Sequence, residues 1–311
     1  MNKKILIIYV IVSICILGIA IKVKSMHQHM WDELFLIEAK ENEILEKQID
    51  GEQKKYDFDY SWAEDTPQLI AHGMGGYKDT YYQTNSYEAF LSSYNEGYRI
   101  FEVDFELTED DNYLVATHDK NSFKMHNEIS ENALFTKQMF DSTRYFGECT
   151  TLDYKQVINL LNEYPDVYFV TDTKYCDKET VQLEFSQIVW YAYTVNPEVL
   201  DRLIPQIYNE EMLEWIMNIH GFKSVIFTLY QTDWTVEGVA DFCNKTGVQF
   251  VTVHKGWLEN RPEIVGFWKN RGIVLGVHTI NEVGEAEELF EQRVDYLYTD
   301  TIKPSSVLES D

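Results

Sequence analysis

The chain has 311 residues, of which 45% are apolar and 14% aromatic. This composition is rich enough to bury a sizeable core, and it excludes a disordered chain. The formal net charge of −26 argues against a nucleic-acid partner, because so acidic a surface repels a polyphosphate backbone.

The chain opens with an uncharged apolar run over residues 5–21, with lysines on both sides of it. A run of this length lies within the range that spans a bilayer. A cleaved signal peptide is the alternative, but no convincing small-residue cleavage site follows the run. We expect residues 1–24 to form a single-pass transmembrane helix that anchors the protein in the cell membrane. Its basic end should stay in the cytoplasm, which leaves the rest of the chain extracytoplasmic.

Residues 25–66 are polar and acidic, with an apolar stripe at helical spacing formed by Trp31, Leu34, Ile37, Ile44 and Leu45. Residues 38–48 are also rich in helix formers. We therefore expect residues 25–66 to form a helical stalk, and residues 67–311 to form the one folded domain.

Beyond Pro67, short β-rich runs alternate with amphipathic helical stretches. The predicted strands are 69–72, 99–105, 167–172, 203–207, 224–229, 249–254, 273–278 and 296–299, and the predicted helices are 87–95, 152–163, 179–193, 210–219, 237–245, 262–270 and 283–291. Eight such repeats predict parallel strands closed into a (β/α)8 TIM barrel, with an open doubly wound sheet as the second choice. A ninth strand, 113–117, follows a tight turn and should form a hairpin on the rim.

In such barrels the chemistry lies at the carboxyl ends of the strands. The polar residues that end these strands are His72, Glu102, Asp104, Asp172, Lys174, Gln206, His254, His278 and Asp300. The fold does not need acids and histidines at these positions, so the clustering indicates a functional site.

Glu102 and Asp104 are two residues apart on one strand, so they share a face at a spacing of about 6.6 Å. An acidic solvent-facing strand would explain the pattern in an arbitrary sequence. In a parallel barrel, however, inward positions are normally apolar. Together with Asp172, the pair therefore predicts a metal site, and its oxygen ligands favour Ca²⁺ or Mg²⁺.

Two histidines flank these acids. His72 precedes a glycine-rich turn that begins at Gly73 and whose amides can approach an anion, while His118 precedes Asp119, which can orient its imidazole. A lone histidine is more often structural. Two of them beside three carboxylates suit the proton acceptor and proton donor that phosphodiester cleavage needs.

Several segments, in this order and spacing, resemble the glycerophosphodiester phosphodiesterase family, part of the phosphatidylinositol-specific phospholipase C-like superfamily. They are LIAHG at 69–73, TNSYEAF at 84–90, FEVD at 101–104, ATHD at 116–119, VTDTK at 170–174, GVHTIN at 276–281 and VDYLYTD at 294–300. The resemblance covers roughly residues 69–304.

The resemblance implies that His72 and His118 are the catalytic pair, and we assign His72 as the base and His118 as the acid. It also implies that Glu102, Asp104 and Asp172 hold the metal and that Lys174 contacts the phosphate. Two positions depart from the family pattern: Gly73 stands where the family usually has arginine, and Thr84 where it usually has glutamate. Either Lys174 and the amides of Gly73–Gly76 replace the lost phosphate contacts, or the protein acts on a different head group. An inactive member of the family is a further alternative, against which both histidines and all three acids are retained.

These observations predict a metal-dependent phosphoric diester hydrolase of lipid metabolism that acts by two-histidine catalysis. The expected substrates are glycerophosphodiesters, related lipid head groups or wall polymers. One alternative is a non-catalytic, membrane-tethered binding module of the same fold. Another is a glycoside hydrolase, which would need paired carboxylates but neither histidine nor metal. Hydrolysis of a phosphodiester with and without chelator would distinguish these functions.

Overall fold

The structure, a computed structural model, describes residues 55–66, 68–229 and 234–308. Its centre is a closed barrel of eight parallel strands. They are Leu69–Ala71, Ile100–Leu107, Tyr168–Asp172, Leu203–Ile207, Ile226–Thr228, Phe250–His254, Val274–His278 and Tyr296–Thr299. The first strand pairs with both the second and the last, which closes the sheet. The predicted barrel is therefore confirmed, and the open sheet is excluded.

Helices follow the strands and pack their apolar faces against the outside of the barrel. The larger ones are Tyr87–Asn95, Tyr154–Glu163, Lys178–Val195, Glu210–Ile219, Val236–Thr246, Glu263–Lys269 and Val283–Glu291, with shorter helices at Gly256–Asn260 and Pro304–Leu308 and a 3₁₀ segment at Pro197–Arg202. Side-chain caps fix several of their starts. The Ser86 hydroxyl accepts a hydrogen bond from the Ala89 amide, and Asp153 forms a capping box with Gln156.

The predicted rim hairpin is present, because Leu114–Ala116 pairs antiparallel with the second barrel strand. An insertion over residues 118–153, which the sequence pattern did not predict, follows it. The insertion contains the helices Lys120–His126 and Lys137–Ser142 and the short paired strands Arg144–Tyr145 and Cys149–Thr150. Phe123, Phe135 and Phe140 give it a small core of its own.

The amino end of the barrel is closed by residues that the sequence pattern assigned to the stalk. Tyr60 and Trp62 are buried against the bottom of the barrel. The Tyr60 hydroxyl donates to the Val225 carbonyl at 2.7 Å, and the Trp62 ring stacks on Phe250 at 5.7 Å. The predicted boundary between stalk and barrel at residue 67 is therefore wrong, since residues 55–66 belong to the barrel unit.

The predicted membrane anchor at residues 1–24 and the stalk up to residue 54 lie outside the described residues. Among the helices of the described part of the chain, none is both long and apolar enough to cross a membrane.

Candidate active site

Three carboxylates meet inside the carboxyl end of the barrel. Glu102 and Asp104 alternate with apolar residues on the second strand and are 2% and 1% exposed. Asp172 on the next strand lies directly opposite Asp104 in the parallel register. One oxygen atom from each of these acids lies within 4.8 Å of the others. The structure thus brings together all three predicted metal ligands.

Neutral donors hold one oxygen of each carboxylate. The Gly73 amide donates to Glu102 Oε2 at 2.6 Å, and Asn85 Nδ2 donates to Asp104 Oδ2 at 2.8 Å. The Tyr208 hydroxyl donates to Asp172 Oδ1. Glu102 Oε1 is buried and has no hydrogen-bond partner among the described residues. An orphaned carboxylate oxygen beside two further acids fits a hard divalent cation such as Ca²⁺ or Mg²⁺.

The Lys174 ammonium also lies in this cluster. It pairs with Asp104 Oδ1 and with Asp172 Oδ2, the latter at 3.1 Å. Lys174 therefore contacts two of the three predicted metal ligands. Its predicted contact with the substrate phosphate stays a prediction.

The crowding of like charges sets the protonation of the acids. Burial, and then the neighbouring Asp104 carboxylate, raise the pKa of Glu102 to about 8. Burial alone would also raise the pKa of Asp104, but Lys174 and then the nearby histidines outweigh it and lower that pKa. The cluster therefore favours the ionised form of Asp104 and disfavours the ionised form of Glu102.

His72 stands at the end of the first strand, where its Nδ1 lies 2.9 Å from Asp300 Oδ1. Asp300 directly follows the last strand, which is the neighbour of the first in the closed sheet. Burial by itself lowers the pKa of His72, but the hydrogen bond to Asp300 and the charges of Glu102 and Asp104 raise it to about 9. Asp300 is thus the acidic partner of His72, a pairing that the sequence reasoning missed.

Two side-chain amides hold the carboxylate of Asp300. Gln83 Nε2 donates to Oδ1 at 3.1 Å, and Asn281 Nδ2 donates to Oδ2 at 2.8 Å. The pairing of the last two strands brings positions 281 and 300 together, and barrel closure brings position 83 to them, so no local sequence pattern indicates the contacts. The order of the strands, which places the end of the last one beside His72, is the one signal that would have suggested it.

His118 lies at the end of the rim hairpin, and its Nδ1 lies 2.9 Å from Asp119 Oδ2, as predicted. Asp119 also caps the next helix by accepting hydrogen bonds from the amides of Asn121 and Ser122. Its position is therefore fixed by the helix start. The amide of Thr117, the residue before His118, donates to the Asp104 carbonyl at 3.1 Å, so His118 begins beside the strand that carries Glu102 and Asp104.

The predicted phosphate contact of Gly73 does not fit the structure. Its single N–H donates to Glu102, so that amide is engaged within the protein. Gly73 has a φ of +53°, and a Cβ atom there would lie only 2.6 Å from the Cα atom of Gln83. The space in which a side chain would begin is occupied by Gln83, which directly follows a short hairpin of the strands Gly76–Tyr77 and Tyr81–Tyr82.

Three further polar residues were predicted at the rim: Gln206, His254 and His278. Gln206 is buried in the barrel, and His254 is exposed at the end of its strand. Burial, and then the charges of His72 and His254, lower the pKa of His278 to about 3, so its imidazole is neutral. We assign no chemical role to these three residues.

No protein-family model matches the sequence, and no curated protein is similar to it at a significant level. Several solved phosphodiesterases, however, have the same fold. A phosphodiesterase from Oleispira antarctica, solved with the product sn-glycerol-3-phosphate, matches 80% of this chain and 98% of its own, with a TM-score of 0.63 and 16% identity.

Two glycerophosphodiester phosphodiesterases give similar values. The protein from Parabacteroides distasonis has a TM-score of 0.61 and 17% identity, and covers 78% of this chain and 95% of its own. The protein from Thermotoga maritima has a TM-score of 0.55 and 20% identity, and covers 78% of this chain and 96% of its own. At these identities the likeness concerns the fold: the chain has the barrel fold of solved glycerophosphodiester phosphodiesterases.

Proposed function

We propose that this protein is a divalent-cation-dependent phosphoric diester hydrolase. Its substrates are glycerophosphodiesters or the related phosphodiesters of lipid head groups and wall polymers. The observation that carries the proposal is that His72, His118 and three carboxylates all lie at the carboxyl end of one barrel. The likeness to solved phosphodiesterases of the same fold supports it.

In this proposal each histidine moves one proton, and each is oriented by its own carboxylate. His72, paired with Asp300, removes the proton from the attacking hydroxyl or water. His118, paired with Asp119, delivers a proton to the leaving alkoxide. In both pairs the carboxylate contacts Nδ1, which leaves Nε2 to face the substrate.

Glu102, Asp104 and Asp172 would hold the cation. When bound, a divalent cation supplies positive charge that stabilises the charge developing on the phosphoryl oxygens. The protein's own cationic contribution is Lys174, whose ammonium lies at the same mouth. With the Gly73 amide engaged by Glu102, Lys174 is the residue we assign to the phosphate.

The histidine roles predict an asymmetric response to the leaving group. His72→Ala and His118→Ala should each lower kcat on an alkyl phosphodiester by about 10²-fold or more, the usual scale of acid–base help. On a nitrophenyl phosphodiester, whose leaving group hardly needs an acid, His118→Ala should recover activity and His72→Ala should not. His254→Ala, at an exposed histidine of the same rim, is the matched control. Near-normal activity of both variants on the alkyl substrate would rule out the two-histidine mechanism.

The raised pKa of Glu102 predicts that cation binding releases a proton. Below its pKa of about 8 the carboxyl must lose a proton to become a ligand, so affinity should rise as the pH approaches 8 and level off above it. Calorimetric titration with Ca²⁺ and Mg²⁺ from pH 6 to 9 measures both effects. Glu102→Gln should weaken binding and remove the pH dependence, while Glu106→Gln, further along the same strand, should do neither. Unchanged affinity in Glu102→Gln would contradict the site.

The contact between His72 and Asp300 predicts a lower histidine pKa when the carboxylate is lost. Asp300→Asn removes an anionic partner and should lower the pKa of His72 from about 9 by roughly one to three units. NMR titration of the imidazole in chelator-treated protein measures the change. Asp119→Asn, which alters the partner of the other histidine, should leave the His72 titration in place. An unchanged pKa in Asp300→Asn would mean that the pairing does not govern the base.

The N-terminal sequence supports a location for this activity. We propose that the apolar run at residues 5–21 tethers the barrel outside the cell membrane, close to lipid-derived and wall-derived phosphodiesters. Deletion of residues 1–24 should move the protein from the membrane fraction to the soluble fraction while leaving its thermal unfolding transition unchanged. Full-length protein in the soluble fraction, or loss of the transition on deletion, would contradict this part of the proposal.

A further inference from the structure

We infer that Lys174 is a built-in competitor of the divalent cation: its ammonium holds the carboxylate oxygens that the cation needs, and cation binding moves it toward the substrate phosphate. This inference rests on the proposed function, since it concerns the same cation site.

The backbone at the end of the third barrel strand directs this lysine at the acids. Lys174 follows Asp172 by two residues and has a φ of +62°, in the left-handed region. Its amide donates to the Tyr208 hydroxyl at 2.9 Å, and that hydroxyl donates to Asp172. Tyr208 therefore ties the lysine backbone to the carboxylate of the same strand end. This tie fixes where the Lys174 side chain begins.

The lysine and a cation would need the same two atoms. Asn85 already donates to Asp104 Oδ2, and Tyr208 to Asp172 Oδ1. The other oxygen of each carboxylate, Asp104 Oδ1 and Asp172 Oδ2, is the one that Lys174 contacts. These are the oxygens that point away from the neutral donors and remain for a cation.

The two charges compete for these oxygens. A divalent cation lies about 2.0–2.6 Å from a carboxylate oxygen, and an ammonium about 2.7–3.2 Å. Two cations bound to one oxygen would therefore be at most about 6 Å apart, and they would repel one another at a site where Glu102 and Asp104 are almost fully buried. In our proposal, this repulsion displaces the ammonium when the cation binds.

The Lys174 side chain has room to move away from the acids. The Lys174 side chain is 26% exposed, so it borders the mouth of the barrel rather than its sealed interior. The same mouth holds His72 and His118, between which the phosphodiester would lie. A lysine released from the acids would meet the phosphate there, so its charge would serve the substrate only once the cation is bound.

Competition of this kind lowers the apparent cation affinity, which equals the intrinsic affinity multiplied by the fraction of protein in which Lys174 has left the acids. Lys174→Met, which keeps an unbranched side chain but no charge, should therefore bind Ca²⁺ and Mg²⁺ more tightly, on the order of tenfold or more. The measurement is calorimetric titration of each metal alone into the chelator-treated, dialysed full-length protein. Lys269→Met, which removes a comparably exposed lysine paired with Asp295 at the other end of the barrel, should leave the affinity unchanged.

Thermal unfolding provides a second measurement, in which the substitution that tightens metal binding should lower the stability of the metal-free protein. Without added metal, Lys174→Met should unfold at a lower temperature than the wild type, because its clustered carboxylates have lost their counter-ion. Added Ca²⁺ should reduce or reverse that difference. Activity on an alkyl phosphodiester should fall in Lys174→Met even when the protein is saturated with metal. If Lys174→Met does not fold, Lys174→Gln, which retains a hydrogen-bond donor, serves in its place.

The two proposals fail in different ways. Equal or weaker metal affinity in both Lys174 variants would overturn the competition and leave the hydrolase proposal standing. If the wild-type protein bound neither metal, the cation dependence of the proposed function would be lost, and this inference with it.

Discussion

Three acidic side chains forced together inside a barrel mouth are the constraint around which the rest of this site is arranged. Burying one carboxylate without a partner is already costly, and Glu102 and Asp104 are both nearly inaccessible to solvent. The protein lessens this cost by different means for each acid. Glu102 takes up a proton more readily, whereas the Asp104 carboxylate pairs with Lys174 and accepts a hydrogen bond from Asn85 Nδ2. Such an arrangement is poorly suited to stability alone, and well suited to a site that receives a cation.

The same negative charge acts on His72. His72 is partly buried, and this burial alone would lower its pKa, yet Asp300 and the neighbouring acids raise it to about 9. Part of that rise comes from Glu102 and Asp104, whose charge a bound cation would neutralise. Under the proposed function, cation binding should therefore also lower the pKa of His72 toward the range in which a general base works. The proposed cation and the proposed base would then be coupled electrostatically.

The sequence predicted the parts of the fold that repeat. Alternation of β-rich and amphipathic segments located the eight barrel strands to within about two residues, because burial on both faces of a parallel sheet leaves a clear pattern. The insertion over 118–153 was not predicted, since its short strands and helices have no repeat to reveal them. The segment that closes the amino end of the barrel with Tyr60 and Trp62 was also not predicted. Its sequence does carry a signal, since aromatic and polar residues alternate from Tyr56 to Trp62.

At the site, the local contacts were predictable and the long-range ones were not. The pairing of His118 with Asp119 follows from adjacency in the sequence, and the shared face of Glu102 and Asp104 from strand alternation. The pairing of His72 with Asp300 joins positions more than two hundred residues apart, through barrel closure alone.

The departure from the family pattern at Gly73 has a physical explanation in the neighbouring hairpin. Gln83 takes the space where a side chain at position 73 would begin, and its amide supports Asp300 instead. In the family that the sequence resembles, an arginine at this position would contact the phosphate, whereas here Gln83 occupies that space and supports the partner of His72. Under the proposed function, the negative charge of the substrate would then be met by fewer protein cations, and Lys174 is the cation that the strand ends place at the acids. Because Lys174 also neutralises those acids, we propose that the absence of a side chain at position 73 makes phosphate binding depend on the divalent cation more strongly than it would with an independent arginine.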